Sequence, residues 1–490
     1  MSKECIIERR VSQCDNYRPV YHFTPPKGWM NDPNGLIYFK NKYHLFYQYN
    51  PYSCNWSSMH WGHAISDDLL HWEDCPIALY PDKDYDNDPE GGCFSGSAIE
   101  KDGKLYLFYT GSVKREGRLY QTQNLVISED GMKFHKYEKN PIIVAPPQNA
   151  SADFRDPKVY AYEGNYYMVV GGCIGDTDTG DGRIFLYKSR DLFEWKYQGI
   201  LVSSEHKLGT MFECPDMFRL KDKWIITTSP MRNPDNNKAL YFVGTMDFEK
   251  CCYHIEYIGC LDYGYDYYAP QSFEDKNGNR IMIAWMNGWL WMPWCKDFGP
   301  TAVEGWRGAF SVPRKISLDK ENRILSEPLE NIFQCGRKIY VEKHMQVGTE
   351  PKSFDTQGQR SYILQFKVNS SECQKKILEL ELLMDEYYKT CLQIDFIKEI
   401  LVLNRDEADG YQTGRVVCNF EATDEETELT ILVDNSSIEI FWMNGKYCIS
   451  NNINSTRPRT DRLTISFSSL IIHSIKQIKI VCNTSGSSRL

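Results

Sequence analysis

Between the N-terminus and about residue 315, short β-prone runs alternate with turns rich in Gly, Asn and Asp, and helical periodicity is scarce. One unit recurs, in which a polar turn residue is followed by five β-prone residues. Its five copies begin at Lys42, Lys104, Asn165, Lys223 and Arg280, with separations of 62, 61, 58 and 57 residues. This period is too long for a hairpin and accommodates about four strands. The pattern therefore predicts a five-bladed β-propeller.

After about residue 315 the pattern changes. We interpret residues 317–338 as a polar connection, and short strands with one apolar face follow it. The predicted strands are 362–368, 378–383, 392–397, 427–433, 437–442, 463–467 and 475–481. Regularly spaced strands of this kind are typical of a β-sandwich. We therefore predict an all-β chain with a propeller domain over 1–335 and a β-sandwich domain over 336–490.

Composition narrows the class of partner. The formal net charge of -10 argues against nucleic acid and against an anionic membrane surface, so a neutral small molecule is the expected partner. The first 16 residues lack an apolar segment of signal-peptide length, and 17 cysteines without repeated spacing favour reduced thiols, which together predict a cytoplasmic protein. No cofactor or metal site is indicated. A homodimer is left open.

Three carboxylates occupy the same slot in their repeats. Asp32, Asp156 and Glu213 each lie nine or ten residues before the start of a repeat unit. Equivalent slots of successive blades are the innermost strands, so we expect the three carboxylates to meet at one end of the central channel. Alone, the Asp-Pro-Asn-Gly sequence at Asp32 is typical of a surface turn. Three convergent carboxylates favour acid–base chemistry on a polar substrate.

Aromatic and polar residues near these slots suggest the substrate class. Tryptophan and phenylalanine side chains offer apolar walls, whereas amide, hydroxyl and guanidinium groups offer directed hydrogen bonds, and a carbohydrate uses both. For each single aromatic residue, packing between blades is the alternative interpretation. We interpret Cys214 as a small buried residue.

Three motifs resemble a known family. WMNDPNG at 29–35, FRDP at 154–157 and ECPD at 213–216 closely resemble the signature motifs of glycoside hydrolase family 32, the invertase, sucrose-6-phosphate hydrolase and fructanase group. The resemblance covers essentially the whole chain and implies a five-bladed propeller with a C-terminal β-sandwich. It also implies that Asp32 attacks the anomeric C2 of a fructosyl unit, that Glu213 is the acid and then the base, and that Asp156 stabilises the transition state.

The resemblance predicts a retaining β-fructofuranosidase acting on sucrose or sucrose 6-phosphate. A fructan hydrolase, a fructosyltransferase and a non-catalytic sugar-binding propeller are the alternatives. Whether Asp262 or Asp266 borders the leaving-group side is left open. The candidate substrate-binding residues are Trp29, Met30, Asn31, Gln48, Trp56, Phe94, Ser95, Arg155, Asp266 and Trp285.

Overall fold

The structure, a computed structural model, is nearly all β-strand. It describes residues 17–236, 238–292, 294–347, 352–355, 360–369, 377–383, 387–423, 426–455, 462–467 and 472–482. The first 16 residues, on which the signal-peptide argument depends, lie outside the described residues. Within the described ranges the helices are two short 3₁₀ segments, Pro300–Glu304 and Glu330–Gln334, and no helix there is long and apolar enough to cross a membrane.

Five antiparallel sheets form the blades of a propeller. The strands are Gly28–Phe39, Lys42–Asn50, His60–Ser66 and Trp72–Asp74 in blade 1; Gly92–Lys101, Lys104–Arg115, Arg118–Ser128 and His135–Lys136 in blade 2; Phe154–Tyr162, Asn165–Ile174, Asp181–Ser189 and Lys196–Ser203 in blade 3; Met211–Leu220, Lys223–Met231, Leu240–Asp247 and Cys252–Cys260 in blade 4; and Tyr268–Glu274, Arg280–Trp285, Arg314–Leu318 and Ile324–Pro328 in blade 5. The second strand of every blade begins at the residue that opens a predicted repeat. A short strand, Trp306–Arg307, pairs in parallel with the start of blade 1.

Packing between blades explains the uninterrupted apolar runs. Five of the buried clusters each join two consecutive blades, and the cluster between blades 5 and 1 closes the ring. In blade 2, Leu105 and Leu107 point toward blade 1, whereas Tyr106 and Phe108 point toward blade 3. Because both faces of a middle strand are covered, neither face needs to be polar.

The C-terminal domain is a β-sandwich of two six-stranded sheets. One sheet contains, in spatial order, Arg337–Val347, Ile472–Cys482, Tyr362–Asn369, Glu426–Val433, Ser437–Trp442 and Tyr447–Asn452, and the other contains Lys352–Asp355, Arg462–Phe467, Ile377–Leu382, Thr390–Asp395, Ile400–Asn404 and Arg415–Asn419. The buried faces of the described side chains form one apolar core.

The prediction of a polar connection over 317–338 is wrong in its first half. Arg314–Leu318 and Ile324–Pro328 are the two outer strands of blade 5 and pair with each other. Only Ile316, Leu318 and Ile324 join the apolar cluster shared with blade 4. The strands are only five residues long, and two of their buried residues, Arg314 and Ser326, are polar, which leaves too weak an apolar pattern for detection by periodicity.

Buried charges join the two domains. The His22 imidazole lies between two sandwich carboxylates, with Nδ1 2.8 Å from Asp434 Oδ2 and Nε2 2.8 Å from Glu439 Oε1. Arg314 of blade 5 pairs with Glu439 and, at 3.0 Å, with Asp262. Unpaired burial of these charges would be costly, so the network favours one arrangement of the domains.

Candidate active site

Every innermost strand carries a β-bulge at the equivalent position. The bulged pairs are residues 31–32, 94–95, 156–157, 214–215 and 269–270 in blades 1 to 5. In blades 3, 4 and 5 the first bulged residue precedes a proline and has positive φ, at 67° for Asp156, 46° for Cys214 and 50° for Ala269. A bulge redirects side chains locally. The position that recurs at a nearly fixed distance before each repeat unit is therefore the site of a β-bulge in every blade.

The three predicted carboxylates line one cavity of about 610 Å³. Asp32 comes from blade 1, Asp156 from blade 3 and Glu213 from blade 4. Six of the predicted substrate-binding residues line the same cavity: Asn31, Gln48, Trp56, Phe94, Ser95 and Arg155. The propeller therefore brings together residues separated by up to about 180 positions in the sequence.

The two oxygens of the Asp32 carboxylate differ in their hydrogen bonding. Ser95 Oγ donates a hydrogen bond to Oδ2 at 2.6 Å, and Cys214 Sγ lies 3.6 Å from the same atom. Oδ1 is buried and has no hydrogen-bond partner among the described residues. Burial raises the pKa of Asp32, hydrogen bonds from Ser95 and Asn31 oppose the rise, and the charge of Glu213 adds to it. Oδ1 is therefore the carboxylate oxygen whose acceptor capacity is unused.

The Glu213 carboxylate is held on both oxygens. Arg155 donates to Oε1 from Nε at 3.0 Å and from Nη2 at 2.8 Å, and the Tyr268 hydroxyl donates to Oε2. Arg155 is itself fixed by Asp153, whose Oδ1 lies 2.5 Å from Nη1. Charge-assisted hydrogen bonds of this kind orient a carboxylate firmly.

The pKa of the Asp156 carboxyl group is strongly raised. Burial raises the pKa of Asp156 to about 7, with Arg155 opposing and the charges of Glu213 and Asp32 adding to the rise. The Cys214 backbone N–H donates to Asp156 Oδ2 at 2.8 Å, and Cys214 Sγ lies 3.4 Å from it. Cys214 is buried, as expected, but it also separates two carboxylates. Neighbouring carboxyl groups of this kind titrate as one coupled set.

Three of the other predicted residues lie behind the cavity wall. Trp29 and Trp285 are 2% and 0% exposed, and their ring centroids are 6.0 Å apart. Both rings pack against Trp289, which does line the cavity. Trp29 Nε1 donates to Asn31 Oδ1 at 2.8 Å, so Trp29 orients a cavity residue. Met30 is fully buried.

Neither aspartate of the 262–266 segment lines the cavity. Asp266 Oδ2 accepts a hydrogen bond from the Asn452 backbone N–H of the sandwich at 2.7 Å. Asp262 pairs with Arg314 and accepts from Ser450. Both carboxylates face the junction of the two domains, which leaves the leaving-group side to other residues.

Several cavity residues escaped the sequence analysis. Trp289, Gln121, Asp153, Glu90 and Lys114 all line the cavity. Lys114 Nζ lies 2.8 Å from Glu90 Oε2. The nearness of Asp153 to the FRDP motif and the density of tryptophan around residue 289 were usable signals. Glu90 and Lys114 belong to no motif, and only the folded chain places them beside the carboxylates.

Comparisons with known proteins find the same family over most of the chain. The model of the glycosyl hydrolases family 32 N-terminal domain matches residues 22–328, and the model of the family 32 C-terminal domain matches residues 333–480. The sucrose-6-phosphate hydrolase of Zymomonas mobilis subsp. mobilis is 34% identical over 458 residues, covering 89% of this chain and 86% of that protein. The raffinose invertase of Escherichia coli is 33% identical, with 92% of each chain covered.

A solved structure shows the same fold. The family 32 β-fructofuranosidase of Bombyx mori superposes with a TM-score of 0.78 at 30% identity, covering 96% of this chain and 94% of that one. Its similarity extends over both domains, so the shared architecture includes the propeller and the sandwich.

Proposed function

The chain belongs to glycosyl hydrolase family 32 and is a glycoside hydrolase of the invertase type, and from this premise we propose that it is a retaining β-fructofuranosidase acting on sucrose or sucrose 6-phosphate. The observation that carries the proposal is the difference between two carboxylates in one cavity. Asp32 has an oxygen that receives no hydrogen bond from the described residues, whereas both oxygens of Glu213 are engaged by donors. One group is suited to attack and the other to be held in place for proton transfer.

In the first step, the Asp32 carboxylate attacks C2 of the fructosyl unit while Glu213 donates a proton to the oxygen of the departing glucose. The bond between C2 and that oxygen breaks, and a fructosyl ester forms on Asp32. In the second step, Glu213 accepts a proton from water, the water oxygen bonds to C2, and Asp32 is released as a carboxylate. Glu213 must be protonated for the first step, so the Arg155 and Tyr268 contacts have to accommodate both protonation states.

The cationic side chains of the cavity help to distinguish sucrose from sucrose 6-phosphate as the substrate. Arg155 is already bound to Glu213 and Asp153, and Lys114 is paired with Glu90. A phosphorylated leaving group would have to compete with Glu90 for the Lys114 ammonium. This arrangement supports sucrose as the preferred substrate of the two.

Stereochemistry tests the retaining mechanism. With methanol as acceptor, retention predicts methyl β-fructofuranoside as the transfer product, identified by NMR before it is hydrolysed further. An α-fructoside would exclude a double displacement. The Asp32→Asn variant serves as the blank.

Parallel kinetics test the substrate. We expect a higher kcat/KM for fructose release from sucrose than from sucrose 6-phosphate. The reverse preference would identify a sucrose-6-phosphate hydrolase. Product analysis at high sucrose separates hydrolysis from fructosyl transfer, and absence of release from either sugar would contradict the proposal.

A further inference from the structure

A second cavity lies where the propeller meets the sandwich. Its volume is about 540 Å³, within the range of small-molecule sites, and it shares no lining residue with the cavity of the three carboxylates. We call it the junction cavity. The residues lining it are Asp235, Asn236, Lys238, Tyr263, Tyr265, Trp294, Lys296, Thr413, Arg415, Val416 and Val417.

Lys238 in this cavity is an unusual buried cation. It is 3% exposed, and no described carboxylate lies within 4.0 Å of its ammonium nitrogen. Its one hydrogen-bond acceptor among the described residues is the Tyr263 carbonyl oxygen, at 3.4 Å, although an ammonium has three donors. By contrast, the comparably buried Lys158 pairs with Asp216 at 3.2 Å and Lys136 pairs with Asp86 at 2.6 Å.

An anion would compensate for this burial. Desolvation lowers the pKa of the Lys238 ammonium, and the groups that oppose the shift, among them the carboxylates of Asp262 and Asp266, do so without direct contact. A buried charge is stable when it is paired and hydrogen-bonded. The Trp294 ring, 4.5 Å from Lys238 Nζ, compensates part of the charge but accepts no conventional hydrogen bond, so Lys238 keeps donors for an anionic ligand.

The rest of the lining adds positive charge. Lys296 and Arg415 are exposed, and Arg415 uses Nε for Asp406 at 3.0 Å, which leaves its other guanidinium nitrogens for additional partners. With Lys238 they bring three cations to the cavity, against the Asp235 carboxylate of the lining and the Asp406 carboxylate paired with Arg415. The whole chain has a net charge of -10. A local positive excess on an acidic protein would favour an anion at this place.

The wall of the junction cavity is aromatic. The rings of Tyr265 and Trp294 are nearly parallel, at 15°, with centroids 6.0 Å apart, and Lys238 Nζ lies 4.5 Å from the Trp294 centroid. Tyr263 is a third ring in the lining. Aromatic rings of this kind pack against the C–H groups of a sugar, whereas a simple inorganic anion has no use for them.

We propose that the junction cavity binds a small sugar phosphate, with Lys238, Lys296 and Arg415 around the phosphate and the aromatic wall against the sugar. The proposal is independent of the hydrolytic function, because the two cavities share no residue.

Calorimetric titration of the full chain with glucose 6-phosphate tests the proposal. Saturating fructose is present to occupy the other cavity, and ionic strength is kept low because salt screens the contact. We expect one site, with affinity lowered about tenfold or more in Lys238→Met, since each charge-assisted hydrogen bond contributes substantially. Lys296→Ala and Arg415→Gln should weaken binding severalfold. Lys276→Ala, a similarly exposed lysine outside the cavity, should bind as the unaltered protein does.

Glucose and inorganic phosphate distinguish the two halves of the ligand, and we expect both to bind more weakly than glucose 6-phosphate. Equal affinity for inorganic phosphate would overturn the sugar part, and equal affinity for glucose would overturn the anionic part. Loss of binding in the presence of fructose, or unchanged affinity in all three cavity variants, would overturn the site itself. The exposed Lys296 and Arg415 variants keep the test decisive if Lys238→Met does not fold. Sucrose hydrolysis should be unchanged in every variant, so a failed hydrolytic assignment would remain distinguishable.

Discussion

Replacing Glu213 with Gln separates proton donation from the scaffold around it. The amide oxygen can still accept from Arg155 or Tyr268, which bind the carboxylate in the native chain, but the side chain no longer donates an acidic proton. The departing oxygen of sucrose is a poor leaving group, so losing the acid should lower kcat/KM by about 10²–10⁴-fold. An activated aryl fructoside leaves without protonation. The ratio of kcat/KM for the aryl fructoside to kcat/KM for sucrose should therefore rise by a similar factor.

The same substitution should move the pH profile. The charge of Glu213 raises the pKa of Asp32 and contributes to raising that of Asp156 to about 7, so its removal lowers both values. Asp32 must be ionised to attack, and kcat/KM falls as the pH drops through the pKa of the coupled carboxyl groups. The acidic limb for the aryl fructoside should thus shift to lower pH in Glu213→Gln. Initial rates between about pH 4 and pH 9 measure the shift.

Asp153→Asn is the matched control, because Asp153 also lines the cavity and also binds Arg155. It removes a neighbouring carboxylate without removing the assigned acid, so it should affect sucrose and the aryl fructoside to the same extent. If Glu213→Gln lowered kcat/KM for both substrates equally, or if its acidic limb moved to higher pH, the acid role of Glu213 would be refuted.

Further substitutions test the other groups. Asp32→Asn should lower kcat by about 10⁴-fold or more on both fructosides while the melting temperature is retained, since Oδ1 has no partner to lose. Glu90→Gln should free Lys114 and raise kcat/KM for sucrose 6-phosphate relative to sucrose; an unchanged ratio would place the phosphate elsewhere. The partners of His22 raise its pKa from 6.5 to about 9, so its contribution of about 3 kcal/mol is complete below pH 6.5 and is lost as the pH rises through 9. The melting temperature should fall over that window, less in His22→Gln, whereas exposed His254→Gln should leave the slope unchanged.

Much of the propeller was predictable because the second strand of each of the five blades is buried between neighbouring blades. Each blade is covered by its neighbours, so each second strand needs an apolar run, and a run that begins at Lys42 recurs at Lys104 and onward. In the outer strands of blade 5, the buried positions include the polar residues Arg314 and Ser326, so the apolar pattern is interrupted. Local periodicity therefore missed Arg314–Leu318 and Ile324–Pro328.

The shape of the site was predictable only in part. The Asp-Pro-Asn-Gly sequence at Asp32 is typical of a turn, whereas the structure shows a β-bulge there and bulges with positive φ at Asp156 and Cys214. No sequence rule, however, indicated which of the two oxygens of Asp32 would be engaged. That depends on Ser95, 63 positions away and on the next blade.

From the sequence alone it was open whether Asp262 or Asp266 borders the leaving-group side. The structure shows that both bind partners that are distant in the sequence. Their motif-like surroundings suggested a place beside the substrate, yet Asp266 accepts a hydrogen bond from Asn452, 186 positions away, and Asp262 pairs with Arg314. A carboxylate close in sequence to active-site residues can thus belong to the domain junction instead. Lys238 lies at the same junction. Unlike the other buried lysines discussed above, it has no carboxylate within 4.0 Å of its ammonium nitrogen among the described residues. The sequence cannot reveal the missing ion pair, because whether a lysine has a carboxylate partner depends on residues that only the fold brings close to it.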